Sequence, residues 1–234
     1  MQKYIARLIK TIKEFNLIED GDVVAVGVSG GKDSMLLAYL LNHISKFYEK
    51  KFKVFAISLD CTGGKCDYSK VIEFFEKHQI DFEVVSTNIF EVVFEIRDEK
   101  NPCSLCANLR RGQLNSRAKE RGATKIALGH HADDFIETFF LSMIYEGRLH
   151  TFSPKTYFSR ADLTQIRPML YLTESEVENA VKNLDIPVIN NCCKANKNTK
   201  RQVVKNELTL LAQSAPNCKD QIFSAVLKYI KEKM

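Results

Sequence analysis

Six consecutive residues, Ser29-Gly30-Gly31-Lys32-Asp33-Ser34, have the make-up of a phosphate cradle. Two adjacent glycines let the backbone approach a ligand closely and adopt positive φ. Exposed backbone N–H groups at the start of a helix then attract an anion. Ser29 and Ser34 add hydroxyl donors, and Lys32 adds a positive charge. The Walker A pattern fails, because the spacing from the first glycine is wrong and Asp33 follows the lysine. A GTPase or motor ATPase is therefore not expected. The plain alternative is a strand-to-helix turn that happens to hold two glycines.

A second constellation is Cys103-Ser104-Leu105-Cys106, two thiols spaced to chelate one metal or to sit on one iron–sulfur cluster. A pair cannot complete a site. The other cysteines are Cys61 and Cys66, which flank Thr62-Gly63-Gly64-Lys65, the adjacent Cys192 and Cys193, and Cys218. Three chemistries remain open: a cluster or metal with one distant thiol, a metal-free redox or persulfide dithiol, and unligated structural thiols. Three thiolates suit a cubane cluster with one iron left open, whereas structural zinc prefers four protein ligands.

The third is Gly129-His130-His131-Ala132-Asp133-Asp134. Carboxylates in a first helical turn gain from the macrodipole, which alone would account for the pair. Beside a nucleotide they also suit Mg²⁺, which takes one or two carboxylates plus phosphate oxygens. Asp133 and Asp134 are the metal or general-acid candidates, Asp33 a further ligand, and His130, rather than His131, the candidate for contact with nucleotide or activated base. Basic residues flank both cysteine segments: Arg110 and Arg111 after Cys106, and Lys194, Lys197, Lys200, Arg201 and Lys205 after Cys193. A solvated face explains such runs as well as phosphate neutralisation does. Arg110 and Lys155 are candidates for stabilising charge during group transfer.

The elements needed to position these groups follow from periodicity. Ile5, Leu8, Ile9, Ile12 and Phe15 predict a helix over 4–17, so an N-terminal helix within about 1–18. Strands are expected at 23–28, 53–59, 82–86 and 125–129, and helices from about 33, at 68–79, 89–96, 106–121 and from 133 to 145. The rest, about 170–234, is expected to be mostly helical, with candidates at 174–184, 200–213 and 221–233. Strand–helix alternation with unbroken apolar strands implies an α/β, Rossmann-like parallel sheet covered on both faces. Ligands in such sheets lie beyond the carboxyl ends of the strands, where the first and third constellations both fall. No linker or composition shift splits the chain, so residues 1–234 are expected to form one domain.

With 45% apolar and 27% charged residues, the 234-residue chain has globular composition, which excludes disorder, a collagen-like repeat and a coiled coil. No apolar run approaches the ~20 residues that cross a bilayer, and the N-terminus lacks a signal-peptide core, so a soluble cytoplasmic protein with no membrane partner is expected. The charge of +5 permits an RNA partner without demonstrating one.

The glycine-loop residues match the SGGxDS signature of the PP-loop ATP pyrophosphatases, which activate a carbonyl oxygen by adenylation. Together with Pro102–Cys106, Leu109-Arg110-Arg111-Gly112, Ala127–Asp134, Phe152-Ser153-Pro154-Lys155, Ile166-Arg167-Pro168 and Arg201–Lys205, they resemble the tRNA 2-thiocytidine synthetase (TtcA) family over roughly residues 20–210. The resemblance implies ATP, Mg²⁺ and a [4Fe-4S] cluster held by three cysteines. It also implies replacement of the 2-oxo oxygen of an anticodon-loop tRNA cytidine by sulfur, a sulfide source such as a cysteine desulfurase, and dimerisation. Counting back from Arg201 by the family pattern makes Cys193 the third ligand beside Cys103 and Cys106, with Asn190 on a position usually held by cysteine and Cys192 as fallback. Rival readings are thiolation of another tRNA pyrimidine or a small molecule, a PP-loop amidating or lysine-ligating enzyme, and a non-catalytic RNA-binding or iron–sulfur carrier protein.

Overall fold

The computed structural model describes residues 1–96, 102–189 and 200–234. Cys192, Cys193, Lys194 and Lys197 lie outside the described residues.

The apolar run Val23–Gly27 forms strand β1. It pairs in parallel with β2 (Lys53–Asp60), with Val24 opposite Val54, and on its other side with β4 (Lys125–Ala127), with Val24 opposite Lys125. Strand β3 (Asp81–Ser86) extends the sheet beyond β2. The six-stranded order is β3-β2-β1-β4-β6-β5. The chain runs outward from β1 through β2 to β3, then returns to place β4 on the opposite flank of β1. That reversal opens a crevice beyond the carboxyl ends of β1 and β4.

Helix α1 (Gln2–Glu14) buries Tyr4, Ile5, Leu8 and Ile12, the predicted stripe. Helix α2 (Lys32–Ser45) follows β1, and α3 (Ser69–Lys77) follows β2. The region expected as one helix at 89–96 is a short turn, α4 (Ile89–Glu91), running into a π-helical turn at Val92–Ile96. Helix α5 (Pro102–Glu120) leads into β4, and α6 (Ala132–Glu146) leaves it. Then come α7 (Glu174–Asn183), α8 (Lys200–Ser214) and α9 (Cys218–Glu232). One apolar cluster runs from Leu8 through Val24, Leu37 and Phe135 to Val177, Val226 and Ile230. It joins the N-terminal helix, the sheet and the last helices.

Two expectations are corrected. No strand is expected between α6 and α7, yet β5 (Lys155–Phe158) and β6 (Leu163–Ile166) form a hairpin there, with β6 parallel to β4 and β5 antiparallel at the edge. Four-residue strands such as Lys-Thr-Tyr-Phe carry too little alternation to announce themselves. The helix expected from 106 begins at Pro102, so α5 contains both cysteines. Pro102 takes the first helical position, where its missing N–H costs no hydrogen bond.

Candidate nucleotide and sulfur-transfer site

The phosphate loop connects β1 to α2. Gly30 has φ +80°, and a Cβ there would meet Ile189 at 2.9 Å. The loop is tied internally: Ser34 Oγ accepts from Ser29 N at 3.1 Å and donates to the Gly31 carbonyl at 3.0 Å. Gly31 N donates to Ser29 Oγ at 3.3 Å. These hydroxyls hold the loop open ahead of the N-terminus of α2, as an anion site requires.

Gly129, between β4 and α6, brings the third constellation against this loop. A Cβ there would lie 2.9 Å from the Asp33 carbonyl carbon and oxygen and 3.0 Å from Ser34 N. Only glycine allows that approach. Asp33 and Asp134, from the first turns of α2 and α6, consequently flank one imidazole. His131 Nε2 lies 3.6 Å from Asp33 Oδ1 and 3.5 Å from Asp134 Oδ2. Asp33 Oδ1 is buried and accepts no hydrogen bond. Asp134 Oδ2 accepts from His131 N at 3.0 Å, while Oδ1 accepts from Arg201 Nη1 at 2.8 Å.

Asp133 points elsewhere. Its Oδ2 accepts the backbone N–H of Glu174 at 2.7 Å, its Oδ1 lies 3.3 Å from Lys219 Nζ, and it lines a different cavity. Consecutive helical residues diverge by about 100°, so the two carboxylates line different cavities. Lys32 Nζ lies 3.3 Å from Asp33 and 3.2 Å from Glu174. Glu174 also takes Lys205, at 2.6 Å. Burial by itself raises the Glu174 carboxyl, but the Lys205 hydrogen bond and the Lys32 charge override it and hold it at about 2.

A cavity of about 630 Å³ opens beyond β1 and β4. Ser29, Asp33, Ser34, His130, Asp134 and Arg110 line it; Gly30, Gly31, Lys32 and Asp133 do not. Helix α5 forms the opposite wall through Ala107, Arg110, Arg111 and Leu114. Cys106 sits one turn and Cys103 two turns before Arg110, and neither lines the cavity. Three residues apart on a helix, they share a face. Cys103 is exposed, and neither thiol is in a disulfide. Among the described residues, no group of three His, Cys, Asp or Glu side chains is placed to hold a metal. Cys193, assigned as the third ligand, falls outside them. Two thiols on one helical face fit two corners of a cluster, and the paired charges of Asp33 and Asp134 beside His131 fit a divalent cation.

Burial, and then the charge of Arg167, pushes His130 down to about 4, so its ring is neutral at pH 7. It packs against Phe152 with ring centroids 4.6 Å apart. Lys155 turns away, donating to the Asn16 carbonyl at 2.7 Å.

A protein-family model described as a PP-loop domain matches residues 1–211. A protein of Stutzerimonas stutzeri (strain A1501) called tRNA-cytidine(32) 2-sulfurtransferase is 36% identical over 237 residues, spanning 100% of this chain and 86% of its own. A Pseudomonas putida (strain GB-1) protein of the same name is 37% identical over 229 residues, covering 97% and 84%. The chain belongs to the tRNA-cytidine(32) 2-sulfurtransferase family of PP-loop proteins. The fold of this family member is also that of the U34-tRNA thiolase NcsA from Methanococcus maripaludis, solved with its [4Fe-4S] cluster. The two superpose with a TM-score of 0.78 at 23% identity, covering 98% of this chain and 78% of that one.

Several side chains at this PP-loop site carried no role in the sequence. Glu174, Phe152, Gln165 and Arg167 are ordinary by type; Phe152 and Arg167 stood out only as parts of matching segments. Arg201 and Lys205 read as a basic run, yet they reach Asp134 and Glu174. Only their spacing of four on α8 hinted at a shared face.

Proposed function

We propose that the chain is an ATP-dependent tRNA sulfurtransferase. It adenylates the C2 carbonyl oxygen of an anticodon-loop cytidine and replaces that oxygen with sulfur. The observation that carries this reading is one shared cavity. Ser29, Asp33 and Ser34 of the phosphate loop and Asp134 line it, and so does α5 through Ala107 and Arg110, with Cys106 one turn and Cys103 two turns ahead of Arg110 on the same helix.

A pyrimidine carbonyl oxygen is a poor leaving group, and transfer to AMP makes it a good one. The loop N–H groups, Ser29, Ser34 and Lys32 hold the triphosphate, and Lys32 exchanges its carboxylate partners for phosphate oxygens. Asp33 and Asp134 would hold Mg²⁺, which offsets charge on the departing pyrophosphate. The C2 oxygen attacks the α-phosphorus and pyrophosphate leaves. Sulfide then adds at C2, the C–O bond breaks, and the oxygen departs with AMP. Cys103, Cys106 and Cys193 would hold a [4Fe-4S] cluster, which when bound would supply the sulfide. Neutral His130 packs the base side of the cavity, and Arg110 faces developing charge. Arg110 and Arg111, on exposed α5, would meet tRNA phosphates. The target base must be unstacked, as in a single-stranded loop. An external sulfide donor, such as a cysteine desulfurase, completes the cycle.

The test is anaerobic purification with iron and sulfide assays, pyrophosphate release from ATP with and without tRNA, and nucleoside mass spectrometry of the product. 2-Thiocytidine formed only with ATP and tRNA is the expected result. Pyrophosphate release without thiolated tRNA would refute the reading.

A further inference from the structure

Arg167 is a buried charge to which the site described above gives no role. It follows β6 directly, is 7% exposed and lines the same cavity. Its Nη1 donates to the Ser153 carbonyl at 2.6 Å, and its guanidinium lies 4.8 Å from the centre of the Phe152 ring. Among the described residues no carboxylate pairs with it. Burial alone lowers its pKa to about 10, which leaves it charged at neutral pH. Its Nε is buried with no partner, and so is Nδ1 of His130, the neighbour of Phe152 on its other contact. A buried cation costs free energy unless something compensates it. Two residues that each keep an unpaired nitrogen line one cavity, which marks where a ligand's polar edge belongs.

The sheet order decides which ligand. The triphosphate belongs to the loop after β1. Arg167 follows β6, which is separated from β1 by β4. It therefore faces the half of the cavity left for the acceptor base. We propose that Arg167 reads the Watson–Crick edge of the target pyrimidine, donating to N3 of cytosine and thereby excluding uracil. Cytosine presents an acceptor at N3 beside a donor amine at C4; uracil presents the reverse, N3–H beside O4. Guanidinium has five donors and no acceptor, so it pairs with the first edge and opposes the second. The neutral His130 ring, with one nitrogen able to accept, complements the C4 amine. O2 stays free to attack ATP. The inference rests on the proposed sulfurtransferase reading and deepens it by naming the residue that selects the base.

The experiment uses the anaerobically reconstituted protein with ATP and sulfide, read by nucleoside mass spectrometry. The substrates are three anticodon stem–loops differing at one position: cytidine, uridine or 3-deazacytidine, which lacks the N3 acceptor. Wild-type protein is expected to favour cytidine over uridine by 100-fold or more, and to lose about tenfold or more on 3-deazacytidine. Arg167→Gln, whose amide can also accept, is expected to cut the cytidine-to-uridine ratio at least about tenfold and to treat cytidine and 3-deazacytidine nearly alike. Undiminished wild-type thiolation of 3-deazacytidine would overturn the proposal without needing any variant to fold. An unchanged ratio in Arg167→Gln, with both rates lowered or the KM for ATP raised, would equally overturn it and assign Arg167 to packing or phosphate. A wild-type protein that thiolates no stem–loop and no tRNA would instead sink the function itself, and this inference with it.

Discussion

Glu174→Gln isolates the lysine clamp beside the phosphate loop. The carboxylate meets Lys205 at 2.6 Å and Lys32 at 3.2 Å, with its side chain 20% exposed. Its pKa stands at about 2 against an ordinary 4.5. At 1.36 kcal/mol per unit, the shift sets a ceiling of about 3 kcal/mol. Solvent screening of the partly open lysines reduces this to roughly 1–2 kcal/mol. A depressed carboxyl contributes stability that is complete above the unfolded pKa and is lost as pH falls through the folded one. Urea unfolding at pH 7 should therefore show Glu174→Gln less stable than the parent by roughly 1–2 kcal/mol. That gap should shrink by roughly half at pH 3.5, because the unfolded parent then takes up the proton first. A gap that stays constant between pH 7 and 3.5 would show that lost packing, not the clamp, accounts for it.

Three further outcomes follow from the site. Gly129→Ala forces a methyl to 2.9 Å from the Asp33 backbone; calorimetric titration should show ATP affinity reduced by tenfold or more, at an overpacking cost of about 1–3 kcal/mol in stability. Asp134→Asn and Asp133→Asn should separate: the first lowers pyrophosphate release about 10- to 100-fold, whereas the second, at the α7 N-terminus, chiefly lowers the melting temperature, by a few degrees. Equal catalytic losses would undo the assignment of the two carboxylates to different cavities. Cys103→Ala should leave circular dichroism and ATP affinity intact while iron and acid-labile sulfide per chain fall severalfold; full iron content would remove Cys103 from the ligand set.

The sequence alone determined the parts whose information is local. Val23–Gly27 is apolar enough to be a central strand, and the loop that follows needs glycines for its backbone and donors for its anion. Cys103 and Cys106 announce their chemistry by thiol type and spacing. The alternation of these elements sufficed to place the phosphate loop and His130–Asp134 at strand ends. Tertiary structure alone decided which groups face each other. Asp133 and Asp134 are adjacent in sequence yet serve different cavities, because helical geometry turns them apart. Glu174, Arg201 and Lys205 join the site because α7 and α8 pack back beside α2 and α6, a contact that no local pattern encodes. The β5–β6 hairpin was too short to register as strands, and it is this hairpin that delivers Arg167. The role proposed for it rests on burial without a carboxylate partner among the described residues, a property of the surroundings rather than of the residue.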